Sequence, residues 1–189
     1  MRIVGGASRG LKLADVGAGD PQAHLRPTTD RVREAIFNLL INGRVAKSGD
    51  PVAGARVLDL FAGTGALGLE ALSRGAARVA FVDDGTAARA LLRRNIELMR
   101  AMGTTDVWRR DATNMGPNRG AGYDLVFLDP PYGQGLGEKA LASCIGGGWL
   151  APRALIVWEE NTAPLPPDGF EEIDQRSYGD TIITLLRAP

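Results

Sequence analysis

Asp129-Pro130-Pro131-Tyr132 is the segment of this chain whose residue types most directly indicate chemistry. It follows an apolar run, residues 123–128, that is typical of a buried strand. Two consecutive prolines cannot donate hydrogen bonds to a sheet, so the strand must end there. The loop offers a carboxylate, carbonyl oxygens and an aromatic ring at the carboxyl end of a strand, where open α/β sheets bind ligands. Such a loop can hold a planar substrate that carries an amine.

A glycine-rich segment, residues 57–68, has the pattern of a strand, a tight turn and the start of a helix. Gly63, Gly65 and Gly68 match the GxGxxG arrangement, whose glycines let the backbone approach a nucleotide. Asp83 follows Gly63 by 20 residues, at the end of the next predicted strand, where an acid binds ribose hydroxyls. The spacing therefore predicts a nucleotide site rather than a purely structural turn.

Asp59 stands just before this turn and argues against a dinucleotide, whose pyrophosphate would lie at the helix N-terminus. A carboxylate suits an ammonium group instead, so the predicted ligand is a nucleoside with an amino-acid tail, S-adenosylmethionine. Asp111 follows the third predicted strand, where it can accept a hydrogen bond from the adenine amine. Acids after three successive strands, with the Asp129 loop after the fourth, form one ordered set.

The elements that must position these residues alternate between strands and helices. Strands are predicted over residues 56–60, 78–83, 106–109, 124–128 and 154–159, with helices near 66–74, 86–102 and 136–145. This alternation is typical of βαβ units and a mostly parallel sheet. Strands near 170–177 and 181–187 flank Tyr178-Gly179-Asp180, which predicts a final antiparallel hairpin. The predicted fold class is α/β, a Rossmann-like, mostly parallel seven-stranded sheet with that hairpin and a small N-terminal extension.

Residues 1–44 are predicted to form this extension, and residues 54–189 the main domain, with a Gly/Pro connection over 43–54. Residues 2–5 and 12–15 are predicted to pair as a hairpin. A helix is predicted after Pro27, with Thr28 or Thr29 as its N-cap. The extension holds seven Arg and Lys against four acids, a net charge of +3, and the remainder carries −3. This distribution fits a polyanionic partner or an ordinary solvated face.

Composition excludes several classes of site. Cys144 is the only cysteine and His24 the only histidine, so neither a CxxC motif nor a histidine metal cluster nor a Ser-His-Asp triad can form. Cys144 is predicted to be a small buried side chain. The N-terminus lacks a signal-peptide core, and no apolar run nears the ~20 residues that a membrane helix needs. We therefore expect a cytoplasmic protein without metal or membrane contact.

The core from Val57 to Tyr132 resembles the class I S-adenosylmethionine-dependent methyltransferases that methylate exocyclic amines through an (Asp/Asn/Ser)-Pro-Pro-(Tyr/Phe) loop. Residues 2–6, 9–13, 25–38 and 59–71 are together similar to motifs of the bacterial RsmD family. The resemblance covers residues 2 to about 132 and continues weakly through 178–181. It implies methyl transfer to the N2 amine of one guanine in 16S ribosomal RNA, on the assembled or assembling small subunit.

Roles for individual residues follow. Asp129 and the Pro130 carbonyl are expected to accept hydrogen bonds from the amine, with Pro131 stiffening the loop and Tyr132 stacking on the base. The expected donor contacts are Asp59, Phe61, Ala62, Gly63, Thr64, Gly65, Asp83, Asp84, Asp111 and Ala112, although many relatives have Glu where Asp83 stands. The expected RNA contacts, which could equally pack the extension on the sheet, are Arg9, Lys12, Arg26, Arg31 and Arg33. The protein is expected to act as a monomer.

Three other functions fit parts of the sequence. An N6-adenine or N4-cytosine DNA methyltransferase would use the same loop, but the chain is short of a DNA-recognition domain. An NAD-dependent oxidoreductase would use the GxGxxG turn, but it leaves Asp129-Pro130-Pro131-Tyr132 unexplained. A non-catalytic factor that binds the ribosomal subunit could keep the fold, but it would not need the intact carboxylates.

Overall fold

The computed structural model describes residues 1–14 and 28–189. Its strands are β1 (Arg56–Leu60), β2 (Arg78–Val82), β3 (Thr105–Trp108), β4 (Tyr123–Leu128), β5 (Leu150–Glu160), β6 (Glu171–Tyr178) and β7 (Thr181–Arg187). Its α-helices are α1 (Asp30–Asn42), α2 (Ala66–Ser73), α3 (Thr86–Leu98) and α4 (Leu136–Gly147). Short 3-10 helices span Arg44–Ser48 and Met102–Thr104.

The strands form one sheet in the order β3-β2-β1-β4-β5-β7-β6. The first five strands pair in parallel, and β7 inserts antiparallel between β5 and β6. The direction of strand addition reverses between β1 and β4. Such a switch point opens a crevice at the carboxyl ends of parallel strands. The predicted mostly parallel sheet with an antiparallel C-terminal hairpin is confirmed.

Two element bounds differ from the predictions for identifiable reasons. α3 ends at Leu98 instead of near residue 102, because Met99 caps it and Arg100 takes a positive φ of 56°. β5 begins at Leu150, four residues before the predicted start. Its register with β4 shifts between Tyr123 and Leu125, and Pro152 lies in that irregular stretch. A proline is tolerated within a strand at such a bulge.

An apolar cluster covers each face of the sheet. On one face, Val57 and Phe127 pack against the side of the molecule that carries α1 and α2. On the other, Leu58 and Trp158 pack against α4, which contributes Cys144. Cys144 is buried, as predicted, and burial raises the pKa of its thiol to about 12. Neighbouring residues of a strand point to opposite faces of the sheet. The position of a residue along its strand therefore sets the face of the sheet on which its side chain lies.

The N-terminal extension shares the core of the main domain. Ile3 and Leu13 belong to the same apolar cluster as Phe37 of α1 and Leu69 of α2. Thr29 caps α1 by accepting a hydrogen bond from the backbone N–H of residue 32, which confirms one of the two predicted caps. The predicted Gly/Pro connection contains the 3-10 helix Arg44–Ser48.

The predicted N-terminal hairpin is confirmed in part, by an antiparallel bridge between Arg2 and Lys12. Backbone N–H groups of residues 3, 10 and 13 donate to carbonyl oxygens of residues 11, 3 and 1, at 3.0, 2.8 and 3.1 Å, and so join the two arms. The N–H groups of Val4 and Gly5 donate to the two carboxylate oxygens of Glu70 in α2, at 2.9 and 2.8 Å. The first arm therefore pairs with the second over residues 1–3 and binds a buried side chain of α2 over residues 4 and 5, where the predicted ladder ends. Residue 15 of this prediction lies outside the described residues.

Candidate functional site: a carboxylate-lined cavity at the sheet edge

A cavity of about 740 Å³ opens at the carboxyl ends of β1, β2 and β4. It brings together most of the predicted site, namely Asp59, Phe61, Ala62, Gly63, Thr64, Asp83, Asp84, Asp111, Asp129, Pro130, Pro131 and Tyr132. Two predicted contacts do not line it. Gly65 caps the start of α2 with a left-handed φ of 78°, and Ala112 is buried in the apolar cluster that contains Leu58 and Trp158. The predicted donor loop and the predicted catalytic loop thus share one cavity.

The loop between β1 and α2 is shaped by backbone conformations that favour glycine. Gly63 has a φ of 55° and Phe61 a φ of 58°, which is unusual for a residue with a side chain. Gly68 lets α2 approach the sheet, since a Cβ there would lie 2.4 Å from the Phe81 ring. The same Cβ would lie 2.9 Å from Asp59 Oδ2. A positive φ at a residue with a side chain, as at Phe61, is a strained conformation that is characteristic of ligand-binding loops.

Asp59 is a buried carboxyl group of the cavity whose pKa is raised. Its Oδ2 accepts a hydrogen bond from the N–H of Gly68 at 2.9 Å, and the side chain is 1 % exposed. Burial raises the pKa of Asp59 to about 8, with a smaller contribution from the charge of Asp83 and an opposing one from the Gly68 hydrogen bond. A cation bound next to Asp59 would favour its ionised form.

Asp83 joins two loops of the cavity. Its Oδ2 accepts from the N–H of Gly63 at 2.9 Å and its Oδ1 accepts from the N–H of Gly85 at 2.8 Å. Burial raises the pKa of Asp83, and these two hydrogen bonds oppose the shift. Each carboxylate oxygen can accept a second hydrogen bond, so the carboxylate retains acceptor capacity for a ligand hydroxyl.

Asp84 and Asp111 lie at the exposed rim of the cavity. Asp111 Oδ1 accepts from both the backbone N–H and the hydroxyl of Thr113, at 2.8 and 2.7 Å. This local turn fixes the carboxylate after β3. The acids at or just after the carboxyl ends of β1, β2 and β3 therefore meet at one edge of the sheet, as the parallel topology requires.

The loop after β4 is held by contacts from three different parts of the chain. The hydroxyl of Thr28 donates to Asp129 Oδ2 at 3.2 Å. The hydroxyl of Tyr132 donates to Glu159 Oε1 at 2.8 Å and lies 3.5 Å from Thr181 Oγ1. Thr28, Glu159 and Thr181 also line the cavity. The carboxylate and the ring of this loop are thus fixed by the start of α1 and by the C-terminal strands.

Sequence reasoning missed Glu159 and Thr181, and it considered Thr28 only as a helix cap. Glu159 lies near the end of the strand that follows the Asp129 loop, so extending the rule of strand-end acids to a fifth strand could have identified it. Thr181 begins β7, and no local pattern separates it from an ordinary hairpin residue.

Arg33, predicted to contact RNA, is buried in the interior, and that prediction is wrong. Its guanidinium donates to the carbonyl oxygens of Thr28 and Arg2 and to Asp30 Oδ1, at 3.3, 2.6 and 2.6 Å. Its Nε lies 3.9 Å from Glu70 Oε2, and the residue is 0 % exposed. The charge of Arg33 is used to join α1, the N-terminal segment and α2.

The other predicted RNA contacts remain available or lie outside the described residues. Arg9, Lys12 and Arg31 are exposed. Arg26, together with the single histidine His24, lies in the segment 15–27 that the structure does not describe.

In the described part of the chain, no group of three or more His, Cys, Asp or Glu residues could hold a metal ion. The helices of that same part are all too short or too polar to cross a bilayer.

Known proteins with similar sequences and structures extend over nearly the whole chain. The family model described as "Conserved hypothetical protein 95" matches residues 1–187. The Escherichia coli K12 protein "Ribosomal RNA small subunit methyltransferase D" is 39% identical over 190 residues, covering 99% of this chain and 89% of that protein. The Haemophilus influenzae protein of the same name is 33% identical over 184 residues, covering 95% and 89%.

A solved structure, "Putative methyltransferase yhhF from Escherichia coli", superimposes with a TM-score of 0.82 at 36% sequence identity. The match covers 100% of this chain and 97% of that one. The shared fold confirms the predicted Rossmann-like methyltransferase architecture, and the similarity to the two methyltransferases confirms the family predicted from the motifs. The chain belongs to the ribosomal RNA small subunit methyltransferase D family, RsmD, a family of methyltransferases.

Proposed function

We propose that this protein transfers a methyl group from S-adenosylmethionine to the exocyclic N2 amine of a guanine in 16S ribosomal RNA of the small subunit. One observation carries the proposal. The Asp129-Pro130-Pro131-Tyr132 loop opens into the same cavity as the acids that follow three neighbouring strands. The names of the related methyltransferases support ribosomal RNA as the class of substrate.

The charge of the cavity suits this donor. Among the described residues that line it, none is Lys, Arg or His, and six are acids: Asp59, Asp83, Asp84, Asp111, Asp129 and Glu159. S-adenosylmethionine carries a positive sulfonium and a positive ammonium group, so the residues present fit it. Asp59 would hold the ammonium end, Asp83 the ribose hydroxyls and Asp111 the adenine amine. Gly63 would let the loop backbone approach the methionine portion, and Gly65, which does not line the cavity, lets the chain turn into α2.

Asp129 and the Pro130 carbonyl activate the amine. An aromatic amine is a poor nucleophile because its lone pair is delocalised into the ring. Two acceptors that bind the N–H groups draw the nitrogen toward tetrahedral geometry and localise that lone pair. When bound, S-adenosylmethionine supplies an electrophilic methyl group, whose bond to sulfur breaks as the bond to N2 forms. The proton that the methylated nitrogen releases passes to Asp129 or to water.

Positioning supplies most of the acceleration, because the acceptors are fixed before the substrate arrives. A guanine amine inside a base-paired RNA helix cannot reach this loop, so the base must be unpaired or flipped out. Tyr132 would stack on the extruded base, an interaction worth ~1–3 kcal/mol. The loop therefore recognises a planar amine, while selection of the nucleotide depends on contacts beyond it.

The extension is proposed to hold the RNA, with residues 1–44 as the substrate-binding part and residues 54–189 as the catalytic domain. Its exposed Arg9, Lys12 and Arg31, with Arg26, would contact phosphates. Small-subunit RNA as substrate places the protein in the cytoplasm, and we propose that it acts there as a monomer.

Small subunits from cells that lack the methyl mark, incubated with purified protein and labelled S-adenosylmethionine, test the proposal. We expect the label in 16S ribosomal RNA as N2-methylguanosine and none in duplex DNA. Asp129→Ala should lower kcat roughly a hundredfold, the order seen when one preorganised polar group is removed. Asp168→Ala changes an exposed aspartate of the β5–β6 loop and serves as the matched control. Label on another base, or an Asp129→Ala rate equal to wild type, would contradict the proposal.

A further inference from the structure

Two consecutive carboxylates at the end of β5 hold two consecutive residues of the loop after β4. The hydroxyl of Tyr132 donates to Glu159 Oε1 at 2.8 Å. The backbone N–H of Gly133 donates to Glu160 Oε1 at 3.3 Å. Thr181, at the start of β7, lies with its Oγ1 3.5 Å from the Tyr132 hydroxyl. The far end of the tyrosine ring and the backbone that follows it are thus both fixed.

The sheet places both carboxylates where they are. β5 runs between β4 and β7, and its register with β7 pairs Glu159 with Ile183 and Glu160 with Ile182. Each glutamate is only 6 % exposed. Burying a carboxylate is unfavourable unless donors surround it, so these acids and the donors of the loop are stable only as a set. Their arrangement does not resemble an ordinary solvated strand end.

Tyr132 acts as the donor in this contact. Burial, and then the charge of Glu159, raise the pKa of Tyr132, so its hydroxyl keeps its proton at neutral pH. A hydrogen bond to a carboxylate is stronger than one between neutral groups. A tyrosine side chain turns about two torsions, so a bond at its hydroxyl restricts rotation about the Cα–Cβ bond and fixes where the long axis of the ring lies.

We propose that Glu159 is a positioning residue that holds the Tyr132 ring in the place where the substrate base stacks, with Glu160 fixing the backbone of the next residue. This inference rests on the proposed function, in which Tyr132 contacts the base. In it, the tyrosine hydroxyl anchors the side chain while the ring contacts the base. A phenylalanine at this position would keep the aromatic surface and lose the anchor.

Four variants test the inference in the methylation assay with under-methylated small subunits. Glu159→Ala and Tyr132→Phe should each lower kcat/KM about tenfold, mainly through KM, as expected when one hydrogen bond to a charged group is lost. Glu159→Gln keeps an acceptor oxygen and should recover most of that loss. Because Glu159 acts through the Tyr132 hydroxyl, the double variant Glu159→Ala/Tyr132→Phe should lose no more than either single variant.

Two controls separate positioning from a general effect on folding. Affinity for S-adenosylhomocysteine should stay within about twofold of wild type in every variant, since none of them changes an expected donor contact. Glu171→Ala, which removes an exposed glutamate of β6 with the same change in charge, should leave kcat/KM unchanged. Losses that multiply in the double variant, a wild-type kcat/KM for Tyr132→Phe, or a parallel loss of donor affinity would each overturn the inference.

The rotamer of Tyr132 about its Cα–Cβ bond, measured by NMR scalar couplings in the free protein, is independent of catalysis. Glu159→Ala should populate at least one further rotamer, because the hydrogen bond that anchors the hydroxyl is lost. Wild-type rotamer populations in Glu159→Ala would overturn the inference even if the protein methylates guanine. A wild-type protein that transfers no methyl group to guanine would instead refute the proposed function, and the rotamer populations would still test how the ring is held.

Discussion

Replacing Asp59→Asn should stabilise the empty protein at high pH while weakening donor binding. Asparagine keeps the acceptor oxygen for the Gly68 N–H, which Asp59 Oδ2 contacts at 2.9 Å, and it removes the titrating charge. Burial raises the pKa of Asp59 from an ordinary 3.8 to about 8. Between those values the folded protein holds a proton that the unfolded chain has released, so stability falls as pH rises toward 8.

The size of the effect follows from that window. Each pH unit changes the free energy of unfolding by about 1.36 kcal/mol when one proton separates the two states. The range from pH 5, where the assay starts, to the raised pKa of about 8 covers about three pH units. The wild type should therefore lose roughly 4 kcal/mol more than Asp59→Asn between pH 5 and pH 9. Water that enters the empty cavity reduces this value, which makes it an upper bound.

Chemical denaturation of both proteins at pH 5, 7 and 9, without donor, measures the difference. Titrating groups that do not interact with Asp59 contribute equally to both proteins and cancel in the comparison, whereas Asp83, whose charge contributes to the raised pKa of Asp59, cancels only in part. Asp168→Asn, at an exposed position, is the matched control and should show no pH-dependent difference from wild type. Titration with S-adenosylmethionine at pH 7 should show about tenfold weaker binding by Asp59→Asn, because its contact to the ammonium group loses the negative charge.

Equal stability differences at pH 5 and pH 9 would refute the reasoning, because they would mean that Asp59 is ionised in the empty cavity throughout. A difference of the opposite sign, with wild type gaining stability as pH rises, would mean that an unrecognised cation already balances the carboxylate.

Two further predictions concern the start of α1. Arg33→Ala should lower the free energy of unfolding by about 3 kcal/mol, because it removes a buried guanidinium that donates to two backbone carbonyl oxygens and to Asp30. Arg31→Ala, exposed on the same helix, should change it by less than about 0.5 kcal/mol in the same denaturation assay, and equal effects would contradict the buried role. Thr28→Val removes the donor to Asp129 Oδ2 and should lower kcat about fivefold in steady-state methylation, while Thr28→Ser should retain the rate. A Thr28→Val rate equal to wild type would show that the contact does not assist catalysis.

Much of the fold could be predicted because its patterns are local. Alternating apolar strands and helical stretches predict the parallel sheet, and Tyr178-Gly179-Asp180 predicts the last hairpin. The N-terminal hairpin could be predicted only in part. Its arms pair as predicted over residues 1–3, but the N–H of Val4 binds the carboxylate of Glu70, 66 residues away, and no local pattern specifies that partner.

The candidate site was predictable to the extent that it follows the ends of strands. Asp59, Asp83, Asp111 and the loop of Asp129 could be placed together because parallel strands end at one edge. The roles of these residues toward donor and base stay predictions, as do the RNA contacts of Arg9, Lys12, Arg26 and Arg31. The division into an extension and a main domain also stays a prediction.

The sequence by itself determined which chemistry the chain can perform, because the acids, the glycine turn and the Asp129-Pro130-Pro131-Tyr132 loop are each encoded within a few residues and a strand end. Only the tertiary structure decided which charges are exposed and which are structural. Arg33 and Arg31 lie two residues apart on one helix, yet one is buried and the other exposed. The Tyr132 ring is held by a carboxylate 27 residues away. Partners this distant meet only through sheet register and helix packing, which no local residue pattern specifies.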